Sequence, residues 1–179
     1  DQLLADGLPF AGNVGDAHVI GFEAESSWKI SQNLRADAAL SLNESEIQKV
    51  NSSFPAPPES ALPGAPHIIL GGSLSYMRAL RDDWSIDARL SSRYVGSSNI
   101  TFADDRRTDI DSYVDVSVRF GVSHDGWSVS AFADNVFNGS EDTFSYGNPL
   151  LFGRERITTP QTPRSIGLTI HKAFSADAD

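Results

Sequence analysis

From Ala17 onward, apolar and polar side chains alternate with a period of two, the mark of β-strands with one apolar and one polar face. Seven such runs stand out. The first, about His18 to Trp28, sets Ile20, Phe22, Ala24 and Trp28 against Gly21, Glu23, Glu25 and Ser27. The second, about Leu34 to Asn43, sets Leu34, Ala36, Ala38, Leu40 and Leu42 against Arg35, Asp37, Ser41 and Asn43. A third follows Pro66, with Ile68, Leu70, Leu74 and Tyr76 opposite Gly71, Ser73 and Ser75. In the fourth, Trp84, Ile86, Ala88, Leu90 and Tyr94 alternate with Ser85, Asp87, Arg89, Ser91 and Arg93. The fifth sets Val114, Val116, Val118 and Phe120 against Asp115, Ser117, Arg119 and Gly121. The sixth sets Trp127, Val129, Ala131 and Ala133 against Ser128, Ser130 and Asp134, and the last sets Ile166, Leu168, Ile170 and Phe174 against Ser165, Gly167, Thr169 and His171.

These runs are about ten to thirteen residues long, roughly twice the usual globular strand and the length a tilted strand needs to cross a bilayer. Short turns after Trp28, Met77 and Val122 take turns with long loops, near 46–66, 97–109 and 135–162. All three tryptophans (Trp28, Trp84 and Trp127) sit beside the short turns on the apolar face, with Tyr76, Phe120 and Phe174 expected at the same level. An aromatic girdle at one rim, short turns there and long loops at the other rim are the pattern of a transmembrane β-barrel.

Composition permits this reading. Mean hydropathy is -0.25 with 40% hydrophobic residues, as befits a wall whose strands each give one face to water. No run of about 18 apolar residues exists, so no transmembrane helix is expected. The chain carries a net charge of -10 with no basic stripe, which argues against a nucleic-acid partner. Cysteine is absent, which removes disulfides and thiolate metal sites. No signal peptide appears before Asp1-Gln2, so an exported protein would have been trimmed or cut from something longer.

Two other architectures share the alternation. A soluble all-β sandwich, such as a carbohydrate-binding module, explains one wet face but not the strand length, loop asymmetry or aromatic ring. A passive porin-like channel explains all three. About seven strands cannot close a bacterial barrel, whose strand number is even and at least about eight. The expectation is therefore an all-β, antiparallel up-and-down meander of about seven long strands, a fragment of a larger barrel.

Four passages resemble the C-terminal part of the barrel of TonB-dependent outer-membrane receptors. Asp6-Gly7-Leu8 and Asn13-Val14-Gly15-Asp16, leading into Gly21-Phe22-Glu23-Ala24-Glu25, look like the family's loop-then-strand passage. Leu62-Pro63-Gly64-Ala65-Pro66 looks like its entry into a descending strand. Ala131-Phe132-Ala133-Asp134-Asn135-Val136-Phe137-Asn138 is similar to the stretch before the last outer loop. Pro163-Arg164-Ser165-Ile166-Gly167-Leu168-Thr169-Ile170, then Phe174, looks like the closing strand with its terminal aromatic. Two departures stand out: Ser175 to Asp179 follow that aromatic, and Lys172 takes an outward position usually apolar, from which its amine could reach headgroups.

The resemblance implies that residues 1–174 form part of a barrel of about 22 strands around an N-terminal plug, with 175–179 a disordered tail. It further implies residence in the outer membrane of a Gram-negative bacterium, among lipid and lipopolysaccharide. The receptor would take up a scarce small-molecule ligand (an iron chelate, cobalamin or a glycan) with energy supplied through TonB, and would use no cofactor of its own.

Candidate ligand contacts are Phe102, Arg106, Arg107, Phe144, Tyr146 and Arg154, in outer loops that also hold Asp104, Asp105, Phe152 and Arg156. Aromatic rings beside guanidinium forks suit a sugar or an anionic chelate. The bland alternative is ordinary loop packing, with the acids bridged to lipopolysaccharide by cations. His18, His67, His124 and His171 are divided between the two rims with no spacing that puts two imidazoles on one ion, so no metal site is expected. Sequons at Asn43, Asn51, Asn99 and Asn138 read as turns. Serines abound on the polar face, but no histidine is placed to serve one as base, so no catalytic residues are assigned.

Overall fold

The computed structural model describes residues 2–3, 9–10, 15–50, 59–100, 109–147 and 156–174. Among them are thirteen strands and no helix: β1 (Gln2–Leu3), β2 (Pro9–Phe10), β3 (Gly15–Lys29), β4 (Leu34–Val50), β5 (Ile68–Ala79), β6 (Ser85–Val95), β7 (Ser98–Asn99), β8 (Asp109–Ile110), β9 (Tyr113–His124), β10 (Trp127–Asp134), β11 (Asp142–Gly147), β12 (Arg156–Pro160) and β13 (Ser165–Lys172). Seven make one antiparallel sheet in the order β3-β4-β5-β6-β9-β10-β13, each paired with its neighbour in the chain's path. The other six form three two-stranded pairs: β1 with β2, β7 with β8 and β11 with β12. The seven-stranded meander stands as expected, and β3 and β13 are its edges.

Residues directly opposite across an antiparallel ladder share a face. One row runs Trp28–Ala36–Leu74–Leu90–Val118–Ala133–Ile166 through all seven strands, so the apolar faces read from alternation coincide in space. This face packs against nothing among the described residues: Phe22, Trp28, Ile166 and Leu168 are all more than half exposed. A soluble sandwich would bury such a face under a second sheet. Among the described residues the buried apolar side chains are instead Ile47 and Ile110, neither in the middle of the sheet.

Strand ends differ from the alternation reading. β4 continues through Val50, where a loop from 46 was expected, and its ladder with β3 reaches Gly15 across a bulge near Asp16. Here Ile47 exchanges backbone hydrogen bonds with the loop, donating to Ser60 at 3.0 Å and accepting from Glu59 at 3.2 Å, while Leu62 N–H donates to Ser45 Oγ. Polar side chains on both faces hide this extension from a periodicity argument, whereas backbone pairing does not depend on side-chain polarity. β10 and β13 are shorter than expected at 8 residues each.

The short turns have local causes. In the β9–β10 hairpin, Asp125 and Gly126 both have positive φ (46° and 70°), a two-residue turn whose twist suits the strands. After β5, Asp82 and Asp83 take φ of 56° and 59°. After β3, Ser31 Oγ accepts from the N–H groups of Asn33 and Leu34. In the Leu62–Pro66 passage, Gly64 has a φ of 74° and donates its N–H to Asn99 at 2.7 Å, tying the entry of β5 to β7.

Candidate ligand-facing wall and outer recess

The polar face of the large sheet has its own register rows. One runs Lys29–Arg35–Ser75–Arg89–Arg119–Phe132–Gly167, with four cationic positions and Arg89 directly opposite Arg119. Like charges so placed repel. The two guanidinium groups reach apart, Arg89 donating to Ser73 and Ser75 and Arg119 to Ser130 at 2.9 Å. Arg35 pairs with Asp37 at 2.9 Å, and Ser73 also donates to Asp37. The glycine at 167 leaves room for the Phe132 ring, because a Cβ there would lie 2.5 Å from Phe132 Cζ.

Above this row, small residues replace long ones. Glu25 faces Ala39, which faces Gly71, and the wall dips into a depression of about 500 Å3 floored by Ala39 and Gly71 and rimmed by Arg35, Asp37 and Arg89. Without large side chains at its floor the surface is concave, and the groups on its rim bond one another, Arg35 and Ser73 to Asp37 and Arg89 to Ser73.

A second recess, about 450 Å3, lies between the polar wall and the segment around the β11–β12 hairpin. Arg93, Asp115 and Ser117 line it from the wall; Thr143, Thr159 and Thr162 line it from the hairpin side. Two buried amides fix this geometry. Asn135 donates through Nδ2 to Gly139 and Thr162 carbonyls, both at 2.8 Å, and accepts the Gly139 N–H at 2.9 Å. Gln161 donates its backbone N–H to Glu141 and its Nε2 to the Val114 carbonyl at 3.0 Å. Asn135 and Asn138 both take the left-handed conformation (φ of 47° and 54°), which asparagine tolerates best after glycine. Asn138 Oδ1 then accepts from Arg164 N–H. The Asp134–Asn138 passage is thus the joint between wall and hairpin.

Of the ligand contacts expected from sequence, Phe102, Arg106, Arg107 and Arg154 lie outside the described residues. Phe144 and Tyr146 fall on β11, and the backbone places them opposite Thr159 and Ile157. No local pattern in the sequence marks the recess residues Tyr113, Asn135, Gln161 and Thr159 as a set. Only the Asp134-Asn135 passage carried a hint of them, because the others come together through folding.

The six girdle positions are not in one register row. Tyr76 and Phe120 share a row through Ala88. Trp28 lies two residues above it, in the row of Leu74 and Leu90, and Trp84 lies four residues below Ala88. Trp84 stacks on His124, with ring centroids 4.3 Å apart. Trp127, opposite both His124 and Lys172, carries the Lys172 amine over its ring at 5.1 Å. That amine also donates to the Asp125 carbonyl at 2.7 Å, which ties Lys172 to the hairpin turn. Phe174 follows β13, 87% exposed.

No group of three or more potential metal-ligating side chains occurs among the described residues. Residues 1–136 match the family model for the TonB-dependent receptor-like β-barrel. A solved structure of the ferric yersiniabactin uptake receptor FyuA from Yersinia pestis superposes with a TM-score of 0.73 at 21% identity. The match covers 91% of this chain and 24% of that one, so the chain spans about a quarter of that receptor's length. At this identity the likeness is one of fold.

Proposed function

The chain belongs to the TonB-dependent receptor-like β-barrel family, and on that premise we propose that it forms wall and outer rim of an outer-membrane receptor importing a scarce small-molecule ligand with energy from TonB. Family barrels reside in the Gram-negative outer membrane, and receptors of this kind work by moving a ligand across it. The observation that carries the reading is the seven-stranded meander with one predominantly apolar face and one charged, hydroxyl-rich face. The first suits lipid and the lipid portion of lipopolysaccharide; the second suits a water-filled lumen and a plug. The edges β3 and β13 would then pair with strands of the rest of the barrel, satisfying backbone groups that hydrocarbon cannot.

Strand tilt supports the girdle at three of its six positions, Trp28, Tyr76 and Trp127. At a barrel tilt of about 40°, a horizontal line slips about one residue along the ladder per strand crossed. Trp28, Tyr76 and Trp127 descend two rows over two strands and six rows over five, close to one level, with Phe120 above and Trp84 below.

Ligand uptake tests the proposal. Cells producing the intact receptor should accumulate labelled ligand from a panel of ferric chelates, cobalamin and oligosaccharides, and lose that accumulation when TonB is deleted. Flux that persists without TonB would overturn it in favour of a passive channel.

A further inference from the structure

We infer that the recess between the wall and the β11–β12 hairpin binds a neutral, polyhydroxylated ligand, a carbohydrate unit of one or a few rings. This rests on the ligand-uptake reading and narrows its ligand class. At about 450 Å3 the recess falls within the size range of small-molecule sites. It is built rather than incidental, because the buried side chains of Asn135 and Gln161 hold the hairpin segment to the wall. The recess also lies on the polar face of the sheet, where an incoming solute would meet it.

Its chemistry selects the ligand. Hydroxyls approach from both sides, Ser117 on the wall and Thr159 on β12 of the hairpin, and each both donates and accepts. Tyr113 adds a ring with a polar tip, the side chain on which sugar rings stack. Its charged groups are one guanidinium, Arg93, and two carboxylates, Asp115 and Asp134. Arg93 stands opposite Asp115 in the β6–β9 register, and with Asp134 the recess carries one more carboxylate than cation. An anionic chelate would be repelled there. A polyol gives Asp134 an O–H donor, and such charge-assisted bonds are the strong ones.

The test uses the full receptor, extracted from outer membranes in detergent and checked for heat-modifiable barrel mobility. It would be applied to an array of neutral glycans and to a panel of ferric chelates. The expected result is glycan binding that is insensitive to added salt. Asp134→Asn should weaken it about tenfold or more, as should Ser117→Ala combined with Thr159→Val. An anionic ligand would respond to Asp134→Asn in the opposite direction, by binding more tightly. The inference is overturned by no glycan binding, by glycan binding indifferent to these variants, or by chelate binding that Asp134→Asn strengthens. In each of these cases, TonB-dependent uptake of some other ligand would leave the receptor reading standing. Loss of TonB dependence would sink that reading independently.

Discussion

Val118 offers the sharpest test of which face meets lipid. It lies on the apolar face of β9, in the row with Leu90 and Ala133, while its neighbour Ser117 points to the polar face. From the Trp84 level to Tyr94, β6 climbs ten residues, and β9 runs beside it from His124 to Val114. At about 3.3 Å per residue and a tilt of about 40°, that is roughly 25 Å of height, the thickness of the apolar band of an outer-membrane barrel. Val118, six residues above His124, then stands about 15 Å up, close to the bilayer midplane. An arginine placed there on the lipid face should cost about 2–4 kcal/mol, which is about 30- to 700-fold in the folding equilibrium. Ser117→Arg puts the same side chain among Asp115, Arg119 and water, where surface substitutions cost about 0.5 kcal/mol. Reversible urea unfolding of the full receptor in liposomes would give both values. Equal penalties at the two positions, or a larger one at Ser117, would refute the face assignment and the membrane geometry built on it.

Asn135→Ala should remove three hydrogen bonds and place alanine in a left-handed conformation, costing about 3 kcal/mol in total. Limited proteolysis of intact cells should then cut the segment around β11 and β12 faster while the barrel stays heat-modifiable; unchanged cleavage would deny Asn135 its joint role. Gly167→Val should force the Phe132 ring off its seat and cost about 1–3 kcal/mol by overpacking, and adding Phe132→Ala should recover part of that loss. Additive penalties in the double-mutant cycle would show that the two residues do not share that space.

The alternation of Ile20, Phe22 and Ala24 with Gly21, Glu23 and Glu25, repeated in seven runs, was enough to settle strand identity, facing and the meander, because side-chain direction in a strand is a local property with a fixed period of two. The Asp125-Gly126 turn was equally local, since two successive left-handed residues demand such chemistry. Periodicity lapsed where both faces carry polar groups, as in β4 from Glu44 to Val50, and there backbone pairing alone decided the strand's length. The rows that Trp28, Tyr76, Trp84, Phe120 and Trp127 occupy needed the register, for neither the rows nor their slip across tilted strands is written in the spacing of tryptophans. The recess needed more still. Arg93, Tyr113, Asp134 and Thr159 come from four separate stretches of chain and meet only because Asn135 and Gln161 hold one outer segment against the wall. A site assembled from such distant pieces leaves no local pattern, and only the folded backbone brings its chemistry together.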